Sequence, residues 1–195
     1  LPTPLRRSLS TLTPRRSSRS LSMMVDPRSR HNPEGWSISR AQRTEVVRVP
    51  SVFSDAEIEA LHALAADCPS AHSYPNHETC FLSSSGAFSE TLPEIRQRLM
   101  AIAAQVDVAE GWHLLPNAER VTPRVVELHT ATQHRSPAPL LDEDHYDMGS
   151  LITVDVMLSP MGSFEGGTFE TLEATGELRP HRFERGDALV FCSHK

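Results

Sequence analysis

Hydrophobic residues recur every three or four positions in the first half of the chain, and this spacing predicts helices. One helix is expected over residues 55–67, where Ser54 followed by Glu57 forms a capping-box pattern at its start. A second helix is expected over residues 92–106, and its Pro93 is tolerated in the first turn. Both predicted helices carry one apolar stripe, so each is expected to pack against another element.

After Gly111 the pattern changes to alternation with a period of two, which predicts short strands. The expected strands cover residues 44–49, ahead of the helices, and then 124–130, 151–158, 167–172, 176–182 and 188–192. Residues 68–90 are rich in Ser, Pro, Asn and Gly and are expected to form a loop, with one short strand around residues 80–82. Helices followed by antiparallel strands indicate an α+β fold with a sandwich or jelly-roll core.

The amino-terminal segment differs from the rest of the chain. Residues 1–24 contain five arginines, six serines and no acidic residue, which is typical of an organellar transit peptide. A disordered basic tail, or an upstream extension of a protein that starts at Met23 or Met24, would have the same composition. We expect a tail over 1–43 and a folded domain over 44–195, located in a mitochondrion or chloroplast if the segment is a transit peptide and in the cytoplasm otherwise.

Length and charge restrict the possible functions. The chain has 195 residues with 38% hydrophobic content, which suits one domain with a core. Its net charge is −6, and residues 1–48, with ten arginines against three acids, account for +7, which leaves −13 for the remainder. An acidic body argues against binding nucleic acid through its phosphates, and no apolar run is long enough to span a bilayer. The three cysteines are expected to be ordinary thiols, with a bridge between Cys68 and Cys80 left open.

The candidate chemistry lies at His145-Tyr146-Asp147, just ahead of the strand expected at residues 151–158. The chain has no glycine-rich nucleotide motif, nucleophile elbow or zincin motif. In an extended segment, residues two apart point to the same side, so the imidazole of His145 and the carboxylate of Asp147 can meet on one metal ion. An incidental pair in a surface loop would look the same.

Two further segments follow this pair, F-E-G-G-T-F at residues 164–169 and R-G-D-A-L-V-F at residues 185–191. With the H-x-D pair, they make residues 120–195 resemble the Fe(II)- and 2-oxoglutarate-dependent oxygenases, in particular the prolyl 4-hydroxylase and procollagen lysyl hydroxylase type. In that family, H-x-D lies on the second core strand and G-D-A-L-x-F leads to a distal histidine. The resemblance implies helices packed on a double-stranded β-helix, or jelly-roll, core.

The resemblance also implies a metal site. Two histidines and one carboxylate hold Fe(II) and leave positions open for 2-oxoglutarate and O₂, with ascorbate as the reductant that restores the iron. His145 and Asp147 match two of the ligands, and His194 is the candidate for the third. The family's pattern places the distal histidine and the basic residue that binds 2-oxoglutarate somewhat later, so we expect both beyond Lys195. The last core strands would then also be missing, and this chain alone would be inactive.

The implied activity is hydroxylation of a prolyl or lysyl side chain of a protein, or of a small molecule, with release of succinate and CO₂. A first alternative is a non-catalytic jelly-roll binding module whose metal site has lapsed. A second alternative is a cupin-like metalloenzyme that uses His129 together with His145 and Asp147. Either substrate class is compatible with these residues, and so is any oligomeric state.

Overall fold

A computed structural model gives the arrangement of most of the chain. It describes residues 18–25, 45–68, 70–74, 77–84, 86–115, 123–131, 147, 149–173 and 175–193. The helices are α1 (Asp55–Ala66), α2 (Ala87–Thr91) and α3 (Pro93–Ala109). The strands are β1 (Ser18–Val25), β2 (Val46–Val49), β3 (Ser70–Tyr74), β4 (His77–Phe81), β5 (Pro123–Ala131), β6 (Ile152–Met157), β7 (Phe169–Leu172), β8 (Leu178–His181) and β9 (Ala188–Cys192).

Two antiparallel sheets are present among these residues. Seven strands form the larger sheet in the order β2-β9-β6-β1-β5-β4-β3, and β7 pairs with β8 in a separate hairpin. Mixed helices and antiparallel sheets confirm the α+β class predicted from the sequence. None of the described helices is both long enough and apolar enough to cross a bilayer.

The start of α1 is fixed by the predicted capping box. The Ser54 hydroxyl accepts from the backbone N–H of Glu57 at 3.3 Å, and the Glu57 carboxylate accepts from the N–H of Ser54 at 2.9 Å. Arg98 of α3 forms an ion pair with the same carboxylate at 2.8 Å and donates to the carbonyl of Val52 at 2.8 Å. Arg98 therefore fastens the beginning of α1 to α3.

The helices cover one face of the larger sheet. Ile58 of α1 and Leu99 of α3 share a core cluster with Val154 of β6 and Val190 of β9. Alternate residues of a strand point to opposite faces, so the intervening positions lie on the other side. There, a second cluster joins four buried residues from β6, β9 and the segment after β8: Met157, Phe183, Leu189 and Phe191.

The turn before β9 is held by Asp187, which is 4% exposed. Its carboxylate accepts from Arg48 Nε of β2 at 2.8 Å, from Ser51 N at 2.9 Å and from Glu184 N at 3.0 Å. Burial alone would raise the pKa of Asp187, but these hydrogen bonds and the charge of Arg48 together lower the pKa below its ordinary value. The carboxylate therefore stays ionised and ties β2 to the start of β9.

Most of the predicted helices and strands are confirmed, and the prediction for residues 68–90 is wrong. The helices expected over 55–67 and 92–106 and the strands expected from residue 124 onward are present, with ends shifted by up to three residues. The segment 68–90 is not a loop with one short strand, because it contains β3, β4 and α2. The hairpin of β3 and β4 has no apolar alternation of its own. Because β4 is held by pairing with the distant β5, the local sequence pattern does not reveal this hairpin.

The segment predicted to be a tail also contains structure. Ser18–Val25 form β1, which pairs antiparallel with β5 on one side and with β6 on the other. A basic, serine-rich composition carries no signal for a strand whose partners lie about a hundred or more positions later. For the rest of residues 1–43, nearly all outside the described ranges, the division into a tail and a domain stays a prediction.

Candidate functional site

Asp147 stands immediately before the turn that leads into β6. The backbone N–H of Ser150 donates to its carbonyl at 3.0 Å, and this bond closes the turn. Its carboxylate Oδ2 accepts from the hydroxyl of Thr153 at 2.5 Å. Asp147 is half-buried, whereas Thr153 is 1% exposed on the second position of β6. The carboxylate is thus oriented by a buried hydroxyl rather than left to rotate in solvent.

Thr153 also reaches the end of β9. Its hydroxyl lies 2.8 Å from the hydroxyl of Ser193, and the backbone N–H of Ser193 donates to the carbonyl of Leu151 at 3.0 Å. A threonine hydroxyl has one proton, and here it goes to the acceptor-only carboxylate of Asp147, so Ser193 is the donor to Thr153. We call this series of two hydrogen bonds the Asp147–Thr153–Ser193 chain.

The Asp147–Thr153–Ser193 chain of hydrogen bonds lies on the face of the sheet opposite to the helices. Thr153 is the cross-strand partner of Phe191, whose ring belongs to the second core cluster. The β7–β8 hairpin packs against this face, because Phe169 contacts Phe191 at 5.6 Å and Phe183 at 6.1 Å between ring centroids. Aromatic side chains therefore separate part of this face from water.

A group of three polar side chains lies in the same β7–β8 hairpin. The Thr171 hydroxyl of β7 lies 2.6 Å from His181 Nε2 of β8 and donates to Glu173 at 3.2 Å. His181 also makes an edge contact with Phe169 at 6.1 Å. Glu173 and Thr171 approach the same imidazole nitrogen, so the group does not have the arrangement of a catalytic triad, in which the carboxylate holds the opposite nitrogen.

Of the three predicted metal ligands, only Asp147 belongs to the described residues; His145 and His194 lie outside them. Within the described part of the chain, no group of three His, Cys, Asp or Glu side chains could hold a metal ion. The structure does bring together residues next to the other two predicted ligands. Asp147 lies two positions after His145 and Ser193 lies directly before His194, and Thr153 joins Asp147 to Ser193. A carboxylate oriented by a hydroxyl fits the outer hydrogen bonding that metal-bound carboxylates require.

His129 is distant from this site. Its Nδ1 lies 3.3 Å from the Thr79 hydroxyl on the neighbouring strand β4. The pairing of β1 with both β5 and β6 aligns Val125 with Thr153, and His129 is four residues further along β5. At ~3.3 Å per residue along a strand and ~4.8 Å per strand across the sheet, the Cα atoms of His129 and Thr153 are roughly 16 Å apart. This separation weighs against the cupin-like alternative.

Thr153 and Ser193 were not predicted as site residues. The sequence carries a weak signal for them, because Thr153 interrupts the apolar strand segment I-T-V-D-V-M and Ser193 directly follows the apolar segment A-L-V-F-C. A hydroxyl inside a buried strand must find a hydrogen-bond partner, but the partner's identity depends on the fold. The glycine and aspartate of the R-G-D-A-L-V-F segment, in contrast, act structurally, at the turn before β9.

Comparisons with protein-family models, with curated proteins and with solved structures gave no match. A functional proposal therefore depends on the motif resemblance and on the geometry around Asp147.

Proposed function

We propose that the protein is an Fe(II)- and 2-oxoglutarate-dependent dioxygenase that hydroxylates a prolyl or lysyl side chain or a small molecule. His145 and Asp147 would hold the metal together with a second histidine, for which His194 is the candidate in this sequence. The observation that carries the proposal is the Asp147–Thr153–Ser193 chain, which joins the H-x-D segment to the end of the strand formed by the G-D-A-L-V-F segment. These segments are more than thirty residues apart in sequence.

Each residue has a specific task in this proposal. Thr153 fixes the Asp147 carboxylate by a hydrogen bond to Oδ2, and Ser193 fixes the Thr153 hydroxyl in turn. The rings of Phe169 and Phe191 restrict the access of water to the same face. When bound, Fe(II) would supply the oxidative chemistry, in which 2-oxoglutarate and O₂ are consumed and succinate and CO₂ are released. Ascorbate would act as the supporting reductant.

A jelly-roll core is part of the same proposal. Two layers are needed for such a core, and the contact of the β7–β8 hairpin with the face of β9 supports a second layer over the larger sheet. The helices occupy the opposite face, as the resemblance to the oxygenases implies.

Binding of Fe(II) alone, measured anaerobically by calorimetry on the protein that its gene encodes, tests the proposal. We expect one high-affinity Fe(II) per chain and at least about tenfold weaker binding for Asp147→Ala, since the only anionic ligand is lost. Asp67→Asn, at an exposed carboxylate that follows α1, is the control and should bind as the wild type does. If His194 is a ligand, His194→Ala should also weaken Fe(II) binding. Unchanged binding by His194→Ala would place the second histidine ligand elsewhere in the protein.

A second measurement connects binding to activity. In the presence of Fe(II), ascorbate and O₂, we expect succinate to form from 2-oxoglutarate with the wild type and not with Asp147→Ala. If Asp147→Ala binds Fe(II) as tightly as the wild type, the metal site is wrong. If the wild type binds no Fe(II), the non-catalytic module with a lapsed site is the better description.

A further inference from the structure

Cys68 and Cys80 approach each other closely although they belong to different elements. Cys68 follows the carboxy-terminal end of α1, and Cys80 lies in β4. The thiol of Cys80 donates to the carbonyl of Cys68 at 3.2 Å, and the thiol of Cys68 donates to the carbonyl of Phe81 at 3.5 Å. The Cys80 sulfur therefore lies against the backbone of Cys68, and the Cys68 sulfur lies against the residue that follows Cys80.

The surroundings keep this pair in place yet accessible. Both side chains are partly buried and pack at the edge of the main core cluster. Cys80 also donates to the carbonyl of Ala65 in the last turn of α1 at 3.7 Å. The third cysteine, Cys192, is buried in β9 at 4% exposure and belongs to the interior of the same cluster. The chain thus offers a close pair at an edge and a buried single thiol as an internal comparison.

We propose that Cys68 and Cys80 form a reversible redox pair, in which a peroxide oxidant converts the two thiols to an intramolecular disulfide that fastens β4 to the end of α1. One thiol first attacks the peroxide, forms a sulfenic acid and releases one water. The second thiol then attacks that sulfur, and a second water leaves. Two S–H bonds are replaced by one S–S bond, the protein loses two electrons and two protons, and one hydrogen peroxide is reduced to two waters.

The local environment of Cys80 affects its reactivity. Burial is the main reason that the pKa of Cys80 is raised to about 11, and the contact with Cys68 adds to it. The Cys80 thiol is therefore almost fully protonated near pH 7, and a protonated thiol is a poor nucleophile. The disulfide should therefore form faster at pH 9 than at pH 7.

The disulfide would have a definite structural effect. It would close a loop between residues 68 and 80 that contains the whole of β3. Because β4 pairs with β5 in the larger sheet, the link would join α1 covalently to that side of the sheet. Such a cross-link restricts the unfolded chain, so the oxidised protein should unfold at a higher temperature than the reduced protein.

The test treats the folded full chain with a small excess of hydrogen peroxide and follows it by intact-mass and peptide mass spectrometry. We expect a loss of about 2 Da, one cross-linked peptide that contains Cys68 and Cys80, and full reversal by dithiothreitol. Cys192→Ser should behave as the wild type, whereas Cys68→Ser and Cys80→Ser should lose the 2 Da change.

Other products would overturn the proposal. Oxidation of both cysteines to separate sulfinic acids would show that the sulfurs do not meet. Disulfide-linked dimers as the main product would show that the thiols meet partners outside the chain instead. An unchanged unfolding temperature of the oxidised wild type would contradict the proposed fastening of β4 to α1. Circular dichroism of Cys68→Ser and Cys80→Ser checks that both variants are folded.

Discussion

Gly186 occupies a point where two backbone segments touch. Its N–H donates to the carbonyl of Met157 at 2.8 Å, and its carbonyl accepts from the N–H of Phe53 at 3.0 Å. With φ at +85°, it adopts a conformation that glycine reaches without strain. A Cβ atom at this position would stand 2.4 Å from the carbonyl oxygen of Phe53. The site therefore excludes every other residue for two separate reasons.

Gly186→Ala should therefore lower the free energy of unfolding by more than about 3 kcal/mol, since a backbone clash is added to an unfavourable φ. Gly162→Ala is the matched control, because Gly162 has φ at +80° and nothing lies within 4 Å of its added Cβ. That variant should lose only about 1 kcal/mol. Urea denaturation of both proteins gives the comparison, and equal losses would mean that the close approach to Phe53 contributes nothing.

Thr153 permits a residue-scale test of the proposed metal site. Thr153→Val keeps the shape of the side chain but removes the hydroxyl that holds Asp147 and that accepts from Ser193. We expect Fe(II) affinity to fall about tenfold or more, as for other hydrogen bonds that orient metal ligands. Thr171→Val, a buried threonine on β7, removes the hydrogen bond to His181 and should leave Fe(II) affinity unchanged. Equal affinities for wild type and Thr153→Val would contradict an orienting role for this hydroxyl.

At the scale of single residues, sequence reasoning selected Asp147 but not the residues that hold its carboxylate. Asp147 was predicted from the H-x-D spacing, because residues two apart on an extended chain share a side. Thr153 and Ser193 were not predicted, since their roles require strands β6 and β9 to lie side by side in one particular register. Such a register is a property of the whole sheet and has no local signature.

Among the elements, α1 shows how one carboxylate can serve two purposes. Glu57 caps the helix through Ser54 and forms an ion pair with Arg98 of α3. The hydrogen bond from Arg98 is the main reason that its pKa is lowered to about 2, from an ordinary value of 4.5. Between these two pH values, the unfolded chain binds a proton that the folded chain does not bind, so the stability from Glu57 falls as the pH falls.

Glu57→Gln should therefore flatten the dependence of stability on pH between about 4.5 and 2. Glutamine still completes a capping box, so the helix start is kept while the charge that pairs with Arg98 is lost. Above pH 5 the variant should be less stable by about 1 kcal/mol, because the ion pair is partly screened by solvent. Denaturation of both proteins at pH 3 and at pH 6 measures the effect. A wild-type difference between the two pH values that the variant retains in full would exclude Glu57 as its source.

The success of prediction at the element scale depended on periodicity. Both helices with an apolar stripe and the strands from β5 onward were found, because their side chains alternate between the core and another surface. The hairpin of β3 and β4 was predicted as a loop with one short strand around residues 80–82, which overlaps only the end of β4, because residues 68–90 are rich in Ser, Pro, Asn and Gly. Its stability comes from pairing with β5, and local composition does not record that pairing.

For the molecule as a whole, β1 is the strand that joins the two parts of the larger sheet. It lies between β6 and β5, so without it the sheet would divide into β2-β9-β6 and β5-β4-β3. Both new edges would expose unpaired N–H and C=O groups along their length. A segment that composition alone marks as a tail is thus placed at the centre of the sheet.

Deletion of residues 1–24 should therefore separate the two halves of the sheet. We expect hydrogen exchange of the β5 and β6 amides to become faster by at least about tenfold, together with concentration-dependent aggregation through the open edges. Deletion of residues 1–17, which leaves β1 complete, is the matched control and should preserve both slow exchange and solubility. Unchanged exchange in the longer deletion would mean that the segment is dispensable, as expected for a cleaved transit peptide.

The number of residues in the turn before β9 is fixed by three contacts with other parts of the fold. The side chain of Arg185 donates to Asp55 of α1 at 2.6 Å. The carbonyl of Gly186 accepts from the N–H of Phe53, and the carboxylate of Asp187 accepts from Arg48. One inserted or deleted residue here would break at least one of these attachments. It would also exchange the two faces of β9, moving Phe191 toward the helices. Any working variant of this protein should therefore keep the same number of residues in this turn, so that the turn fixes the alignment of its sequence with this one.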